Sequence, residues 1–517
     1  MGAQSSRDEY VETFDEKQAE MQAVIEQETL SNLSLANSQE KYLLQAMVTM
    51  DLNDDVKEHY SRLTPRALDK FSEHFWLDKK NQLAMNAVMN NDPTKIMVDP
   101  RVAIDNRHVF NVKLETEGAA TNQKQSGRCW IFAGTNVLRL AVIRKYKLSD
   151  DFELSQNFLF FYDKLEKANW FLENMIDLAA EDINDRVVQY LLTDPVGDGG
   201  QWQMFINLVE KYGVVPKSTF PETVASSSTA KLNWLVTVKL REFAAQIRKA
   251  LSDGISTNTI RVMKEEMMQD IYRIMTIYLG EPPANFDWEI MDKTGKCVSI
   301  PSLTPKKFMK EIVEYPVGIC IISETISLIN DPRNPYSRAY TVSRLGNIVG
   351  GGDIKYVNTT IATMKKLAID VLKSGNPVWF GCDVGQFSNG SVGSMDTKIF
   401  DYKLTFNVDF NLSKAQRLLY GESAMTHAMV FTGVHLDNES KPIRWRVENS
   451  WSDTSGEKGF WVMTDEWFSE FVYQLVLEKR VVPKKLVDLL SEKPIVLPAY
   501  DPMGALANPR QSRSLYK

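Results

Sequence analysis

The most chemically pointed stretch of the chain is Asn122-Gln123-Lys124-Gln125-Ser126-Gly127-Arg128-Cys129-Trp130, a polar, glycine-containing loop that runs straight into a helical pattern. Trp130, Phe132, Ala133, Val137, Leu138, Leu140 and Ala141 recur at helical spacing, which places Cys129 in a first helical turn. Unpaired N–H groups and the positive end of the helix dipole gather there and favour thiolate over thiol. A cysteine so placed can have its pKa lowered below the free value of about 8.5. A lone cysteine at a helix start is more often a small packing residue, so this feature alone decides nothing. A cysteine nucleophile also needs a base that later serves as the acid for the leaving amine, and histidine is the usual choice. The chain has only five histidines. His427, in Ser423-Ala424-Met425-Thr426-His427-Ala428-Met429-Val430, opens a strand-like run that would hold its ring rigidly. Asn449 follows 22 residues later in Glu448-Asn449-Ser450-Trp451. An asparagine can accept the second N–H of an imidazole and fix its tautomer, and Trp451 can keep water off that bond. Taken singly these are a core histidine, a turn residue and a packing tryptophan; in the order Cys…His…Asn-Ser-Trp they point to nucleophilic acyl transfer.

Several elements must position these groups. The sequence predicts helices from Cys129, over about 154–171 and near Trp202–Tyr212, and mainly helical structure over 230–280, where Leu235, Val238, Phe243, Ile247 and Leu251 lie three to four apart. The last third changes character: Pro377–Phe380, Ala428–Val434, Ile443–Val447 and Gly459–Met463 read as strands, and Val109–Glu117 alternates like a short one. Helices first and an antiparallel-looking sheet later predict an α+β fold.

These residues resemble the papain-like cysteine peptidases, whose motifs include Gln-x5-Cys-Trp, His-Ala and Asn-Ser-Trp. The resemblance makes Gln123, six residues before Cys129, the side-chain donor of an oxyanion hole, with the Cys129 N–H as the second. It makes Gly199 and Gly200 the pair against which substrate backbone lies, where a side chain would block close approach. Within that group the chain resembles the bleomycin hydrolase family. The likeness rests on Gln123–Phe132, Glu153–Asn169, Asp198-Gly199-Gly200-Gln201, Leu328–Arg333, Met425–Met429 and the ending Asp501–Ala507, in consistent order over about 64–507. The 298 residues between Cys129 and His427 exceed the roughly 130–150 of ordinary papain relatives, as the family's helical insertion requires. The implied architecture is a papain-like two-subdomain cysteine peptidase core, a helical part plus an antiparallel β part, with a large helical insertion. The implied division is a polar N-terminal extension over 1–63, the helical subdomain over 64–217, the insertion over 218–345, the β subdomain over 346–490, and a C-terminal arm over 491–517 that reaches the active site. The resemblance further implies cytoplasmic homohexamers with active sites on an enclosed channel. It implies aminopeptidase action on peptides, on the amide of the glycopeptide bleomycin and on homocysteine thiolactone, with weak nucleic-acid binding in some members.

Composition agrees with a globular enzyme: 517 residues, 44% hydrophobic and 25% charged. The densest apolar runs, Phe158–Tyr162 and Val317–Ile322, are too short for a membrane span, and Met1–Ser6 lacks the segments of a secretory signal. The four cysteines, Cys129, Cys297, Cys320 and Cys382, are too scattered for a disulfide framework or a metal site, so a reducing compartment is expected and neither metal nor cofactor is. Gly346–Gly352 lacks the Lys-Ser/Thr of a P-loop. Residues 1–63 carry 13 acidic and 5 basic side chains, a local net of −8 in a chain of formal charge −7. A nucleic-acid-binding assembly with secondary peptidase activity would need a basic face; the basic residues of Lys231–Arg273 are interleaved with Glu242, Glu265, Glu266 and Asp270, a solvated pattern. A transferase using the same acyl-enzyme differs only in which nucleophile reaches the thioester. Met1-Gly2-Ala3-Gln4-Ser5-Ser6 matches the myristoylation pattern, with Gly2 as acceptor, and only such acylation would bring the chain to a membrane. In the resembling enzymes the chain stops near Gly-Ala-Leu-Ala, and that terminal carboxylate anchors the substrate's α-amino group. Here Ala507 is followed by 508–517, which adds three positive charges. A tail in that place is expected to occlude the cleft or displace the anchor until it is cut near Ala507.

Overall fold

The computed structural model describes residues 62–314 and 322–507. Gly2, nearly all of the acidic extension, Cys320 and the tail 508–517, with the expectations attached to them, lie outside the described residues. The chain forms two compact units, one through Asn91 and one from Asp92 onward. In the first, the Thr64 side chain caps α1 (Pro65–Leu77) and the Asp78 carboxylate caps α2 (Lys79–Val88), each accepting a first-turn N–H.

The second unit carries the site. Its central helix, α3 (Cys129–Tyr146), is buried on nearly every face from Cys129 to Ile143 and ends at Lys147 in the left-handed conformation. Its mostly apolar sequence suits the inside of a core, and the few polar residues buried with it, Thr135, Asn136 and Arg139, are hydrogen-bonded. Around it lie α4 (Gln156–Asp177), started by the Ser155 hydroxyl accepting the Phe158 N–H, and α5 (Trp202–Tyr212). The helices α6 (Ala230–Ser252) and α7 (Thr257–Leu279) pack on each other and on α4. The buried positions of α7, Ile260, Met267, Ile271, Met275 and Leu279, repeat at four- and seven-residue intervals and define its inward stripe.

The strands, in chain order, are β1 (Val112–Lys113), β2 (Phe286–Met291), β3 (Cys297–Leu303), β4 (Thr325–Ile329), β5 (Arg338–Val342), β6 (Tyr356–Asn358), β7 (Val378–Cys382), β8 (Ser388–Asn389), β9 (Ser394–Met395), β10 (His427–Leu436), β11 (Pro442–Glu448), β12 (Phe460–Thr464), β13 (Val472–Glu478) and β14 (Ile495–Leu497). All but β2 and β3 join one large sheet in the order β14-β5-β6-β4-β13-β7-β10-β11-β12-β9-β8, with β1 on β10. The run β4-β13-β7-β10-β11-β12 is antiparallel throughout. Every residue of β7 is buried, as a strand covered on both faces should be. One face packs against α3; on the other, α8 (Ile361–Lys373) covers a second core that includes Phe380, Phe431, Trp445 and Phe468. The fold is thus α+β, as expected. The segment 218–345 differs from the mainly helical expectation. After α7 it forms the β2–β3 hairpin and then supplies β4 and β5 to the large sheet. Ile326, Leu328 and Ile329 form an apolar run too short to distinguish strand from helix by periodicity, and pairing with β13 decides it.

Candidate active site

Cys129 is the first residue of α3, 3% exposed, after an N-cap position (Arg128) that makes no side-chain capping bond. The loop before it is braced instead. Arg128 forms a bidentate pair with Glu222 at 3.1 and 2.8 Å, and its Nε donates to the Ser126 hydroxyl at 3.0 Å. His427 is the first residue of β10, with Cys382 opposite it on β7. Opposed residues of an antiparallel pair share a face. The helix that Cys129 opens, α3, packs against both β10 and β7, the strands that carry His427 and Cys382.

The histidine is locked by the other half of the motif. Its Nε2 lies 3.0 Å from Asn449 Oδ1, and that oxygen also accepts the Ser450 N–H at 2.8 Å. A backbone donor can only face an oxygen, so the asparagine's orientation is set and Nε2 must carry the hydrogen it donates. The other ring nitrogen, Nδ1, is left as the basic one. Trp451 covers the imidazole at 5.0 Å between centroids and rests on Trp461 at 5.3 Å. Gln123 joins the same network. Its Oε1 accepts the Ser450 hydroxyl at 2.6 Å, and its Nε2 donates to the Ser126 carbonyl at 2.5 Å. One hydrogen of that amide is spent on Ser126, and the second can be presented to an oxyanion. Ser450 is a site residue that motif reading passed over. It lay in view beside Asn449, but its double duty, N–H to Asn449 and hydroxyl to Gln123, needs the fold.

Gly199 and Gly200 lie in the buried loop before α5. The Gly199 carbonyl accepts from Lys167 Nζ at 2.5 Å. At Gly200 a Cβ would stand 2.5 Å from the fully buried Trp130 indole, so it is packing under Trp130 that demands a glycine there. Gly200→Ala should lower the melting temperature, by an overpacking cost of about 1–3 kcal/mol, and reduce turnover with it. A thermal scan matching the parent would show that the indole moves aside freely.

The C-terminal arm packs beside these residues. Its last described turn, Pro502–Ala507, is buried from Met503 to Leu506. The Met503 carbonyl accepts from Gln201 Nε2 at 3.3 Å, and the Pro502 carbonyl from the Met425 N–H at 3.4 Å, two residues before the histidine. Arg333 holds Asp501 at 2.9 Å. The Ala507 carbonyl lies 3.2 Å from where a Gly197 Cβ would be, so the last described residue of the arm lies beside the glycine loop. The structure therefore joins His427, Asn449, Trp451 and Gln123 in one contact network, sets Cys129 at the helix start that follows the Gln123 loop, and puts Gly200 against the adjoining Trp130 and Ala507 beside Gly197. Among the described residues no group of acidic, histidine or cysteine side chains is arranged to hold a metal ion.

This geometry has close counterparts. Residues 62–504 match the family described as Peptidase C1-like family. Bleomycin hydrolase of Rattus norvegicus is 43% identical over 438 residues, 83% of this chain and 96% of that one. Aminopeptidase C of Listeria monocytogenes is 42% identical over 450 residues, 86% and 99% of the two chains. The crystal structure of PepW from Lactobacillus rhamnosis superposes with a TM-score of 0.83 at 43% identity, covering 86% of this chain and 99% of that one. A helix-borne thiol, a strand-borne imidazole held by Asn-Ser-Trp, and relatives matched over nearly their whole length leave one assignment: the chain belongs to the Peptidase C1-like family, with the papain-like fold, and is a cysteine aminopeptidase.

Proposed function

We propose that the enzyme removes N-terminal residues from peptides, and cleaves related small amides and thiolactones, through a thioester on Cys129. The observation that carries this reading is the unbroken hydrogen-bond path from His427 through Asn449 and Ser450 to Gln123. It supports a base of defined tautomer and an amide donor serving one thiol, that of Cys129. His427 Nδ1 takes the thiol proton, and the sulfur attacks the scissile carbonyl. The Gln123 amide and the Cys129 N–H receive the oxyanion. His427 returns the proton to the leaving amine, and the C–N bond breaks. Water, activated by the same imidazole, then cleaves the thioester. Trp451 keeps bulk water from the His427–Asn449 bond, and Gly199 offers backbone to the substrate.

The register that makes such an enzyme an aminopeptidase is assigned to the arm. Its position beside the glycine loop supports Ala507 as the stop against which a substrate's first residue ends, with residues 508–517 as a removable brake on that position. We extend the reading to a cytoplasmic homohexamer. Sparse cysteines without a framework support a reducing compartment, and no helix among the described residues is long and apolar enough to cross a membrane. Acylation at Gly2 would add at most marginal anchoring. Weak nucleic-acid binding remains a secondary property to be measured by salt-dependent retention.

The test is a panel of fluorogenic aminoacyl amides, each with a free and a blocked N-terminus, given to the full chain and to a chain truncated after Ala507. Expected is cleavage confined to free amines, faster in the truncated chain. Equal rates on blocked and free substrates would overturn the aminopeptidase register. Equal rates and equal preference in the two chains would overturn the brake.

A further inference from the structure

Behind the glycine loop lies a buried charge cluster that the chemistry above does not use. Asp198 is buried, and both oxygens of its carboxylate are fully committed. Oδ1 accepts from Lys164 Nζ at 2.7 Å and from Asn233 Nδ2 at 2.8 Å. Oδ2 accepts from the Gly127 N–H at 3.0 Å and from the Thr229 hydroxyl at 2.5 Å. Four donors meet about four lone-pair sites, so the group has one orientation. Its own carbonyl accepts the Trp130 indole N–H at 2.7 Å. Burial alone would push this carboxyl up; Lys164 and the Gly127 N–H more than offset that and hold it well below the usual carboxylate range. Lys164 also donates to the Val196 carbonyl, and Lys167 to the Gly197 carbonyl at 2.9 Å, so two buried lysines of α4 grip the loop on either side of Asp198.

The Gly127 contact has a direct geometric result. The Gly127 nitrogen and the Ser126 carbonyl belong to one peptide plane, which is rigid. Asp198 holds the N–H edge of that plane, and the Gln123 amide donates to its C=O edge at 2.5 Å. Rotate the plane and the amide turns with it. The remaining donors to Asp198, Thr229 and Asn233, stand at the cap and first turn of α6, the first long helix of the 218–345 segment. That segment also takes the Gln125 N–H on its Ser227 carbonyl at 3.1 Å.

We propose that Asp198 is a positioning residue for acyl transfer: through the Ser126–Gly127 peptide it sets the Gln123 amide at the oxyanion site, and through Thr229 and Asn233 it makes that setting depend on α6. This rests on the reading of Gln123 as an oxyanion donor. Asp198 touches neither substrate nor thiol, so it acts only through the peptide plane.

Two probes of the same thiol separate this role from a general structural one. An aminoacyl aldehyde adds the thiol across its C=O; the S–C bond forms, the thiol proton ends on the oxygen, and that oxygen occupies the oxyanion site. Iodoacetamide is attacked at its CH2 carbon and releases iodide, so no oxyanion develops. In Asp198→Asn, expected results are a fall in kcat of about tenfold or more, below the roughly 10²–10³-fold ceiling for losing a donor outright. KM should stay within about twofold, aldehyde affinity should fall in parallel with kcat, and the alkylation rate should stay within about twofold. In a Gln123→Ala background, Asp198→Asn should add no further loss of aldehyde affinity, because both act on one donor. Equal losses in alkylation and aldehyde binding, or losses that multiply across the two variants, would overturn the role of Asp198 alone. A Gln123→Ala enzyme with unchanged aldehyde affinity would overturn both this inference and the oxyanion reading beneath it. Should Asp198→Asn not fold, Thr229→Val with Asn233→Ala leaves the charge pair and removes the α6 donors. The same selective loss of aldehyde affinity, smaller in size, is expected there, and its absence would overturn the coupling.

Discussion

Cys129→Ala abolishes hydrolysis of aminoacyl amides, by at least about 10⁴-fold in kcat, while the protein folds and melts much as before. The same substitution removes labelling by a thiol alkylator at low reagent. The contrast with the other described cysteines gives the measurement its force. Cys382 is buried, and burial, with Asp383 and Cys129 adding to it, pushes its thiol well up, so it is a poor nucleophile despite lying opposite His427. Cys297 is exposed on the β2–β3 hairpin and takes reagent only as an ordinary surface thiol does. Labelling that survives Cys129→Ala at low reagent, read by peptide mass, would move the nucleophile elsewhere. Asn449→Ala should cost less than the roughly 10²–10⁴-fold that general acid–base catalysis supplies, because the imidazole stays and only its orientation loosens.

Arg139→Met destabilises the fold by about 3–5 kcal/mol, and adding Glu448→Gln restores most of it. Arg139 lies on α3, ten residues after the nucleophile; Glu448 immediately precedes Asn449. The two meet at 2.6 Å with both side chains about 1% exposed, joining the nucleophile helix to the last residue of β11, just before the asparagine. Gly118 makes room for the guanidinium, since a Cβ there would stand 2.4 Å from it, and Ala119 accepts from Nη2 at 2.6 Å. Removing one partner strands a buried charge, whereas replacing both does not. The pH dependence has a definite sign. Burial raises the Glu448 carboxyl to about 7, against the pull of Arg139. A carboxyl raised above its unfolded value of about 4.5 supports the native state fully below that value and loses that support as pH climbs through about 7. Without Arg139 the loss deepens, so the deficit of Arg139→Met should be larger at pH 8 than at pH 5. Urea midpoints at the two pH values check this; a deficit that is flat with pH, or larger at pH 5, would show that the pair does not act as an ion pair.

Much of the site could be read from the chain because short motifs carry it. Gln123, Cys129-Trp130, His427 and Asn449-Ser450-Trp451 each combine an uncommon residue type with a local setting that suits its chemistry. The strands β7, β10, β11 and β12 were legible for a related reason: Val, Phe and Trp in short runs bounded by turns. What stayed hidden are pairings between distant, ordinary residues. Lys164 and Lys167 have no local pattern that marks them as buried, and only the packed loop 196–200 shows that their ammonium groups are spent on backbone carbonyls and carboxylates. Arg139 and Glu448 are 309 positions apart, and neither has a local pattern announcing a partner. Gly200 was legible as a glycine that must stay one, but its packing against Trp130 was not, because that neighbour is 70 positions away in the chain.

The sheet order has a consequence in time. β7 lies between β10 and β13, so the strand opposite His427 gains both neighbours only after residue 478 has been synthesised, some 350 positions beyond Cys129. At about 5–20 residues per second, a growing chain carries its thiol for tens of seconds before the histidine strand exists. Through that interval the thiol has no base beside it, so acyl transfer at Cys129 waits on the late-made half of the sheet.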